Sequence, residues 1–266
     1  MDVLGYGLAI AIGLLLSLLG GGGSILTVPV LVYVFRLPPT LATAYSLLIV
    51  GTASLVGSAD YLRRGLASPK TALFFSFPSF AMVFLSRKYL VPMMPEVLYQ
   101  TGDFVLTKNL FMMILFAALM VLSAQSMIRG RKEKTDTGEG IRRQLNYPLI
   151  FVEGLLVGTL TGFVGVGGGF LIIPVLANFV RLPMKLAVGT SLLIIAINSC
   201  IGFLGDLGQH TMDWAFLGRF TSLVLVGVVF GTGLSRRVPG HTLKPAFGWF
   251  TLLMGTGILI KELLIS

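Results

Sequence analysis

Apolar runs of about 20 residues recur along this chain, and each is long enough to cross the roughly 30 Å hydrocarbon core of a membrane as a helix. Two examples are NLFMMILFAALMVLSAQSMI at 109–128 and FLGRFTSLVLVGVVFGTGL at 216–234. In lipid the backbone must satisfy its own hydrogen bonds, which limits spanning segments to helices and closed barrels. These runs predict an all-α polytopic membrane protein.

The composition supports a membrane protein and argues against other classes. Hydrophobic residues make up 55% of the chain and charged residues only 12%, with a mean hydropathy of +0.90. A soluble domain carries about twice that charged fraction. The net charge of +9 is interpreted as Lys and Arg in cytoplasmic loops, so no nucleic-acid partner is expected. The first apolar segment follows Asp2 without a basic region or a cleavage site, so it is expected to be a retained helix.

The reactive residues show no pattern typical of an enzyme or a metal site. The sequence has one cysteine, Cys200, which excludes an internal disulfide and a cysteine-rich metal site. It contains no phosphate-binding loop, nucleophile elbow or zinc signature. Neither an enzyme nor a cofactor is therefore expected. Asp60 and Asp206 lie at predicted helix ends and are expected to be solvated.

The sequence repeats itself at an offset of 145 residues. The segment 20–57, GGGGSILTVPVLVYVFRLPPTLATAYSLLIVGTASLVG, aligns without a gap to 165–202, GVGGGFLIIPVLANFVRLPMKLAVGTSLLIIAINSCIG, with 18 identities in 38 positions. Chance similarity between two apolar segments does not produce shared PVL and RLP triplets at one offset. We divide the chain into a first transmembrane repeat, 1–128, a basic cytoplasmic linker, 129–145, and a second transmembrane repeat, 146–266.

Each repeat is predicted to contain an apolar helix that ends in a glycine cluster, a short helix that stops at RLP, and three longer helices. The predicted first helices are 3–19 and 147–164, the short helices 24–35 and 170–180, and the longer helices 40–58, 71–92, 109–128, 186–204, 214–235 and 245–264. At about 1.5 Å per residue, the short helices reach only about 18 Å. The sequence leaves open whether they fully cross the membrane.

The distribution of basic residues favours one of two topologies. If the glycine cluster only kinks a long helix, the halves are parallel with four crossings each, and the 20 Lys and Arg split 11 to 9 between the sides. If the cluster reverses the chain, the halves are inverted with five crossings each, and the split is 14 to 6. Cytoplasmic loops are rich in Lys and Arg. An inverted repeat in the plasma (inner) membrane is therefore favoured, with the central loop cytoplasmic and both termini outside.

The duplicated glycine clusters predict a binding site. Broken backbone survives in lipid only where protein buries it or where it lines a cavity, and paired breaks in two halves point to the substrate site of a transporter. Unpaired N–H groups and the positive end of the helix dipole at the start of the short helices favour an anion. The alternative is that the small residues only allow close helix packing. The candidate residues are Gly22, Gly23, Ser24, Gly167, Gly168 and Gly169.

The doubled GxGGGxLxxPxL pattern, most complete at Gly165–Leu176, and the LP…A.GTSL segment at Leu182–Leu192 resemble the TauE/SafE family of sulfite-exporter-like permeases. The first copy differs, with Ser24 in place of Gly169 and ATAYSL in place of AVGTSL. The resemblance implies secondary transport of small anions, notably sulfite, sulfonates and related organosulfur compounds. H⁺ and Na⁺ are the candidate coupling ions. A passive anion channel and a transporter of non-sulfur organic anions stay open as alternatives, and so does a homodimer.

Four polar side chains in predicted helices are further candidates for substrate contacts: Ser46, Thr190, Ser191 and Asn198. The alternative for the hydroxyls is a hydrogen bond to their own helix backbone, and for Asn198 a hydrogen bond between helices. Arg36 and Arg181 end the short helices. They either recruit an anion at each mouth or anchor the helix at the interface.

The predicted helices carry no Lys or Arg in their middle. Backbone amides at the glycine clusters, and not a cationic side chain, are therefore expected to hold the anion near mid-membrane. On this hypothesis, Gly168→Ala leaves folding largely intact if the site tolerates one methyl group, and it weakens binding by crowding the ligand.

Overall fold

The computed structural model describes residues 2–101, 104–129, 147–165, 168–180, 182–208 and 211–264, and these residues are almost entirely helical. The helices are α1 (Asp2–Leu19), α2 (Gly22–Pro29), α3 (Pro39–Arg63), α4 (Pro69–Leu85), α5 (Val91–Met93), α6 (Lys108–Arg129), α7 (Tyr147–Val164), α8 (Gly169–Pro174), α9 (Met184–Asp206), α10 (Trp214–Ser235) and α11 (Gly240–Leu264). Five of these described helices, α3, α6, α9, α10 and α11, are long and apolar enough to span a membrane. The prediction of an all-α polytopic membrane protein is confirmed. The predicted linker lies outside the described residues from position 130 onward.

The short helix of each half changes its hydrogen-bonding pattern at a proline. Pro29 and Pro174 end α2 and α8, and π-helical turns follow at Val30–Val34 and Val175–Phe179. Proline has no N–H to continue the α-helical ladder. In the first of these turns the amide of Phe35 donates to the carbonyl oxygen of Val30, five residues back, at 3.2 Å. The repeated proline thus gives both short helices the same construction.

The first glycine cluster reverses the chain. Gly20, at φ +67°, adopts the left-handed conformation that glycine tolerates best. α2 then runs back along α1, with Gly23 packed against Leu16. At the far end, the ring of Phe35 lies 6.0 Å from that of Tyr6, near the beginning of α1. The short segment therefore returns along most of the first helix and does not continue it beyond a kink.

Helices of one half pack mainly against helices of the other. α1 packs on α10 and α7 on α4, which are equivalent pairs, while α3 packs on α9 and α6 on α11. α3 and α9 run antiparallel, since Tyr61 lies beside Gly189 and Gly51 beside Ser199. α6 and α11 are also antiparallel, with the start of α11 against the end of α6. An inverted repeat requires such antiparallel packing of equivalent helices, and the orientation of each end in the membrane stays a prediction.

Glycines allow several of these helix pairs to approach closely. Gly154, Gly158 and Gly162 share one face of α7, and at each of them a Cβ would collide with α4. Small residues at four-residue spacing are typical of helix interfaces in membranes. The buried apolar cluster continues through both halves, so the two repeats form one packed body.

One element was not predicted. A β-hairpin, with β1 (Val97–Thr101) antiparallel to β2 (Phe104–Thr107), joins α5 to α6. It follows α4, which continues through a π-helical turn at Ser86–Leu90 into α5. The signal in the sequence was the run of β-branched and aromatic residues on both sides of the letters TGD. The hairpin leads directly into α6 and does not change the long helices that were predicted.

We expect single cysteines at Asp2, Thr137 and Ser266, in a Cys200→Ser background, to report the inverted topology. A membrane-impermeant maleimide added to intact cells should label positions 2 and 266 and leave 137 unlabelled. The reason is that five crossings per half place both termini opposite the central loop. Permeabilised cells, in which all three positions should react, are the control. Labelling at 137, or protection of the two termini, would contradict this topology.

Candidate functional site

The two glycine breaks meet in the interior of the protein. Gly21 precedes α2 and Gly169 begins α8, and they lie so close that a Cβ on either residue would overlap the backbone of the other. Both glycines are buried. The short helices of the two halves therefore begin at one common point.

Each break also packs against the start of the long helix that follows the short segment in the other half. Gly20 lies against Val188 and the hydroxyl of Ser191 in α9. Gly165, which has a φ of +66°, lies against Thr43 in α3 and the guanidinium of Arg87. Val188 stands 145 residues after Thr43, so these contacts are equivalent. The two breaks therefore pack in the same way against the following long helix of the other half. At the second break, the side chain of Arg87 also occupies the space beside Gly165.

Arg87 and Asp206 form a buried ion pair beside the second break. Nη1 of Arg87 lies 3.3 Å from Oδ2 of Asp206 and donates a hydrogen bond of 3.1 Å to Oγ1 of Thr43. The two charged side chains are only 1% and 2% exposed. Because a buried charge is costly unless it is paired, each of them requires the other. The expectation that Asp206 is solvated is wrong, whereas Asp60 is 21% exposed and pairs with Arg236.

The sequence analysis did not single out Arg87 because it lies near the end of a predicted helix, where an arginine ordinarily reaches the interface. In the structure the helix continues past it through a π-helical turn, and its partner comes from the other half of the chain. A pairing between halves is a tertiary contact that no local pattern encodes. Arg87 therefore lies in the interior of the protein and not at the membrane–water interface.

A cavity of about 680 Å³ lies next to the ion pair, lined by Lys88, Pro92, Lys108, Leu204, Gly205, Leu207 and Gly208. Lys88 directly follows Arg87, and Gly205 directly precedes Asp206. The cavity wall therefore includes neighbours of both members of the ion pair. The two lysines make this cavity electropositive, which attracts anions.

Comparison with known proteins places this architecture in a family. The family described as Sulfite exporter TauE/SafE matches residues 6–258, which include both breaks and both halves. The chain belongs to the TauE/SafE family. This TauE/SafE protein is a multi-pass membrane transporter and not an enzyme, as the sequence analysis predicted.

Individual relatives of this TauE/SafE protein carry the same kind of name. It is 27% identical over 254 residues to a "Probable membrane transporter protein" of Xylella fastidiosa strain 9a5c, covering 94% of this chain and 92% of the relative. It is 23% identical over 258 residues to "Probable membrane transporter protein YunE" of Bacillus subtilis strain 168, covering 92% of each. No solved structure matches the chain.

Several predicted site residues of the TauE/SafE protein lie at the breaks. These are Gly22, Gly23, Ser24, Gly168, Gly169 and Ser191. The hydroxyl of Ser24 donates to the carbonyl oxygen of Gly21 at 2.6 Å, and that of Ser191 to the carbonyl oxygen of Val188 at 2.8 Å. Both hydroxyls therefore satisfy backbone carbonyls near the breaks. Gly167 and Arg181 lie outside the described residues.

The other predicted residues are not among the nearest neighbours of the glycines at the breaks. Oγ1 of Thr190 accepts a hydrogen bond from the amide of Ser68 at 2.9 Å. Nδ2 of Asn198 donates to Oγ of Ser79 in α4 at 2.7 Å. Arg36 is exposed and has a φ of +56°. Ser46, in α3, is fully buried, and its hydroxyl has no hydrogen-bond partner among the described residues.

The expectation for Gly168→Ala does not hold. Gly168 precedes α8 with a φ of +73°, and a Cβ at this position would meet the side chain of Thr161. An alanine with this φ is strained. The variant therefore tests packing and ligand binding at once, and folding is not expected to stay intact.

We expect Gly169→Ala to destabilise the protein by about 1–3 kcal/mol, because overpacking a filled interior costs that much. Gly218→Ala in α10 is the matched control, since no atom lies within 4 Å of the Cβ that it adds. Thermal unfolding of the two purified variants in detergent measures the difference. Equal unfolding midpoints would show that the breaks do not touch.

We expect Asn198→Ala and Ser79→Ala to be coupled, since their side chains join α9 to α4. Hydrogen bonds between membrane helices contribute about 0.6 kcal/mol in double-mutant cycles. Unfolding of the two single variants and the double variant gives the coupling energy. Transport by Asn198→Ala with unchanged substrate affinity would assign the residue to helix packing. A loss of affinity without coupling would assign it to the substrate.

Proposed function

We propose that this protein is a secondary transporter of small anions, with sulfite, sulfonates and related organosulfur compounds as substrates. We further propose that it works by alternating access around the paired glycine breaks. The observation that carries the proposal is the contact between Gly21 and Gly169, which brings interrupted helices from both halves to one buried point. Interrupted helices at equivalent positions of two repeats are typical of substrate sites in transporters. Membership of the TauE/SafE family supports the same conclusion.

Two features of the breaks favour an anion. The short helices begin there, and the first N–H groups of a helix lack partners within it and lie at the positive end of its dipole. Arg87 places a guanidinium against Gly165. An oxyanion in a low-dielectric interior requires hydrogen-bond donors, because an unpaired charge is costly there. The breaks therefore offer the chemistry that a small oxyanion needs.

The packing favours a moving transporter over an open pore. Gly21 and Gly169 are in direct contact, which closes the interior between the halves at this point. Access from either side then requires a relative movement of helices. The candidates for this movement are the packed pairs α1–α10 and α4–α7, because each pair consists of one helix from each half. In an inverted repeat, equivalent movements of the two pairs open opposite sides of the membrane. The proposal includes an inner-membrane location with the central loop cytoplasmic and the termini outside, which the 14-to-6 split of basic residues supports.

Flux into proteoliposomes tests this function. The purified protein should take up labelled sulfite at a rate that saturates with concentration. Unlabelled sulfite inside should accelerate this uptake by counterflow, because one site faces the two sides in turn. Thiosulfate, taurine and sulfoacetate should compete with sulfite more strongly than acetate does. An imposed pH or sodium gradient identifies the coupling ion, and protein-free liposomes are the control.

Three results would contradict the proposal in different ways. Flux that rises linearly with concentration and shows no counterflow would identify a passive channel. Uptake of simple carboxylates in preference to sulfite would assign the protein to non-sulfur organic anions. No uptake above protein-free liposomes for any of these anions would contradict anion transport itself.

A further inference from the structure

We propose that Arg87 is the cation that binds the transported anion, and that Asp206 is the counter-ion which the anion displaces. The inference deepens the proposed function and rests on it, since it names the group that compensates the charge of the substrate. It also assigns the central role at the site to a side chain, where the sequence analysis expected backbone amides alone.

The guanidinium of Arg87 reaches the second glycine break. Its Nη2 lies where a Cβ of residue 165 would stand, so it occupies room that exists because residue 165 is glycine. At Gly205 a Cβ would lie 3.1 Å from the Cβ of Arg87, which is tight for the stem of the side chain. Two glycines from different helices thus admit one arginine. The cation therefore lies beside the break on which the proposed transport depends.

An incoming oxyanion can take the place of the Asp206 carboxylate as the partner of Arg87, whose Nη1 lies 3.3 Å from Oδ2 of Asp206. The planar guanidinium fork matches two oxygens of a sulfite or sulfonate group. A bound oxyanion keeps the buried guanidinium paired. The displaced carboxylate follows Gly205, which lines the electropositive cavity, so positive charge is available near it.

Two serines, Ser46 and Ser86, lie on the same helical segments as Thr43 and Arg87, and the side chain of Ser86 packs against Gly162. Thr43 already accepts a hydrogen bond from Arg87, and Ser46 lies three residues further along α3, on the same face. Ser86 directly precedes Arg87. The side chains of Ser46 and Ser86 are fully buried, and neither hydroxyl has a hydrogen-bond partner among the described residues. Buried hydroxyls are ordinarily hydrogen-bonded, so each of these two still has a hydrogen bond to make, to a ligand or to the backbone of its own helix.

The electropositive cavity lies beside the ion pair, and neither Arg87 nor Asp206 lines it. Lys88 and Lys108 line it together with Gly205, and Lys108 is only 7% exposed. Basic side chains around a low-dielectric cleft raise the local concentration of anions. Under the proposal, an anion gathers at Lys88 and Lys108 and reaches the buried Arg87 when the helices around the ion pair move.

The duplicated half does not repeat the arginine. The residue 145 positions after Arg87 is Thr232, whose hydroxyl donates to the carbonyl oxygen of Val229 at 2.8 Å. Because the two breaks touch each other, one cation beside Gly165 lies close to both. The arrangement fits one oxyanion head group for each protein chain.

Anion titration of the purified full-length protein tests this assignment. Sulfite, sulfate and taurine are titrated at constant ionic strength, and the dissociation constant is read from the shift of the unfolding midpoint. The double variant Arg87→Gln/Asp206→Asn removes both charges and leaves neither unpaired. It should keep its midpoint without added anion and bind about 10- to 100-fold more weakly. Asp206→Asn alone should unfold more readily without anion and bind about tenfold more tightly, because the competing carboxylate is gone.

Arg236→Gln is the matched control. Arg236, which directly follows α10, also forms an ion pair with an aspartate of another helix. Its partner is Asp60 of α3, at 2.9 Å, but the side chain of Arg236 is 64% exposed. This variant should bind anions with wild-type affinity. An unchanged dissociation constant in the double variant overturns the assignment. So does a wild-type protein that none of the three anions stabilises.

Two further measurements keep the result decisive. If the double variant does not fold, Arg87→Lys decides, since it keeps the charge and loses the planar fork. It should bind about tenfold more weakly, and wild-type affinity in this variant would overturn the assignment. Sulfite flux in proteoliposomes separates the site from the function. Anion binding through Arg87 in a protein that carries no sulfite would contradict the transport function and support the binding site.

Discussion

Helices α1 and α7 end inside the protein, and in lipid a helix can end there only if protein buries the backbone groups that are freed. The structure meets this requirement by placing the two ends against each other, at Gly21 and Gly169. Since each break is covered by the other half, the halves have to interleave. The packing of α1 on α10 and of α7 on α4, with glycines at the closest points, follows from that contact.

Duplication and divergence act on different parts of this arrangement. The backbone plan is common to both halves: a left-handed glycine ends the first helix, and a proline-linked π-helical turn ends the short one. The side chains around the breaks differ, because Gly20 meets Ser191 where Gly165 meets Arg87 and Thr43. The backbone is thus similar at both breaks, but the guanidinium of Arg87 lies beside the second break, where the first has Ser191. The buried guanidinium of Arg87 requires one carboxylate, and a second such pair would double the cost of taking charges out of water.

Much of the fold could be predicted from the sequence, because lipid imposes a simple rule on helix length and composition. The ends of α7 and α10 were predicted closely, and the offset of 145 residues identified the breaks as a pair. The ion pair of Arg87 with Asp206 could not be predicted. Each residue lies near the end of its own helix, and only the packing of α4 against α9 makes that place an interior. The positive φ of Gly168 was also invisible, because a run of glycines does not show which of them takes the left-handed conformation.

The interleaving of the halves determines the order in which the protein can be assembled. α1 is synthesised first, yet the helix that covers its glycine face, α10, leaves the ribosome almost last. During that interval the first break has no α8 to bury it. The first half therefore enters the bilayer as a set of inserted but unfinished helices, and the second half completes them. The core therefore closes only after the second half has been made, because both the partner of the first break and the helix that covers α1 belong to that half.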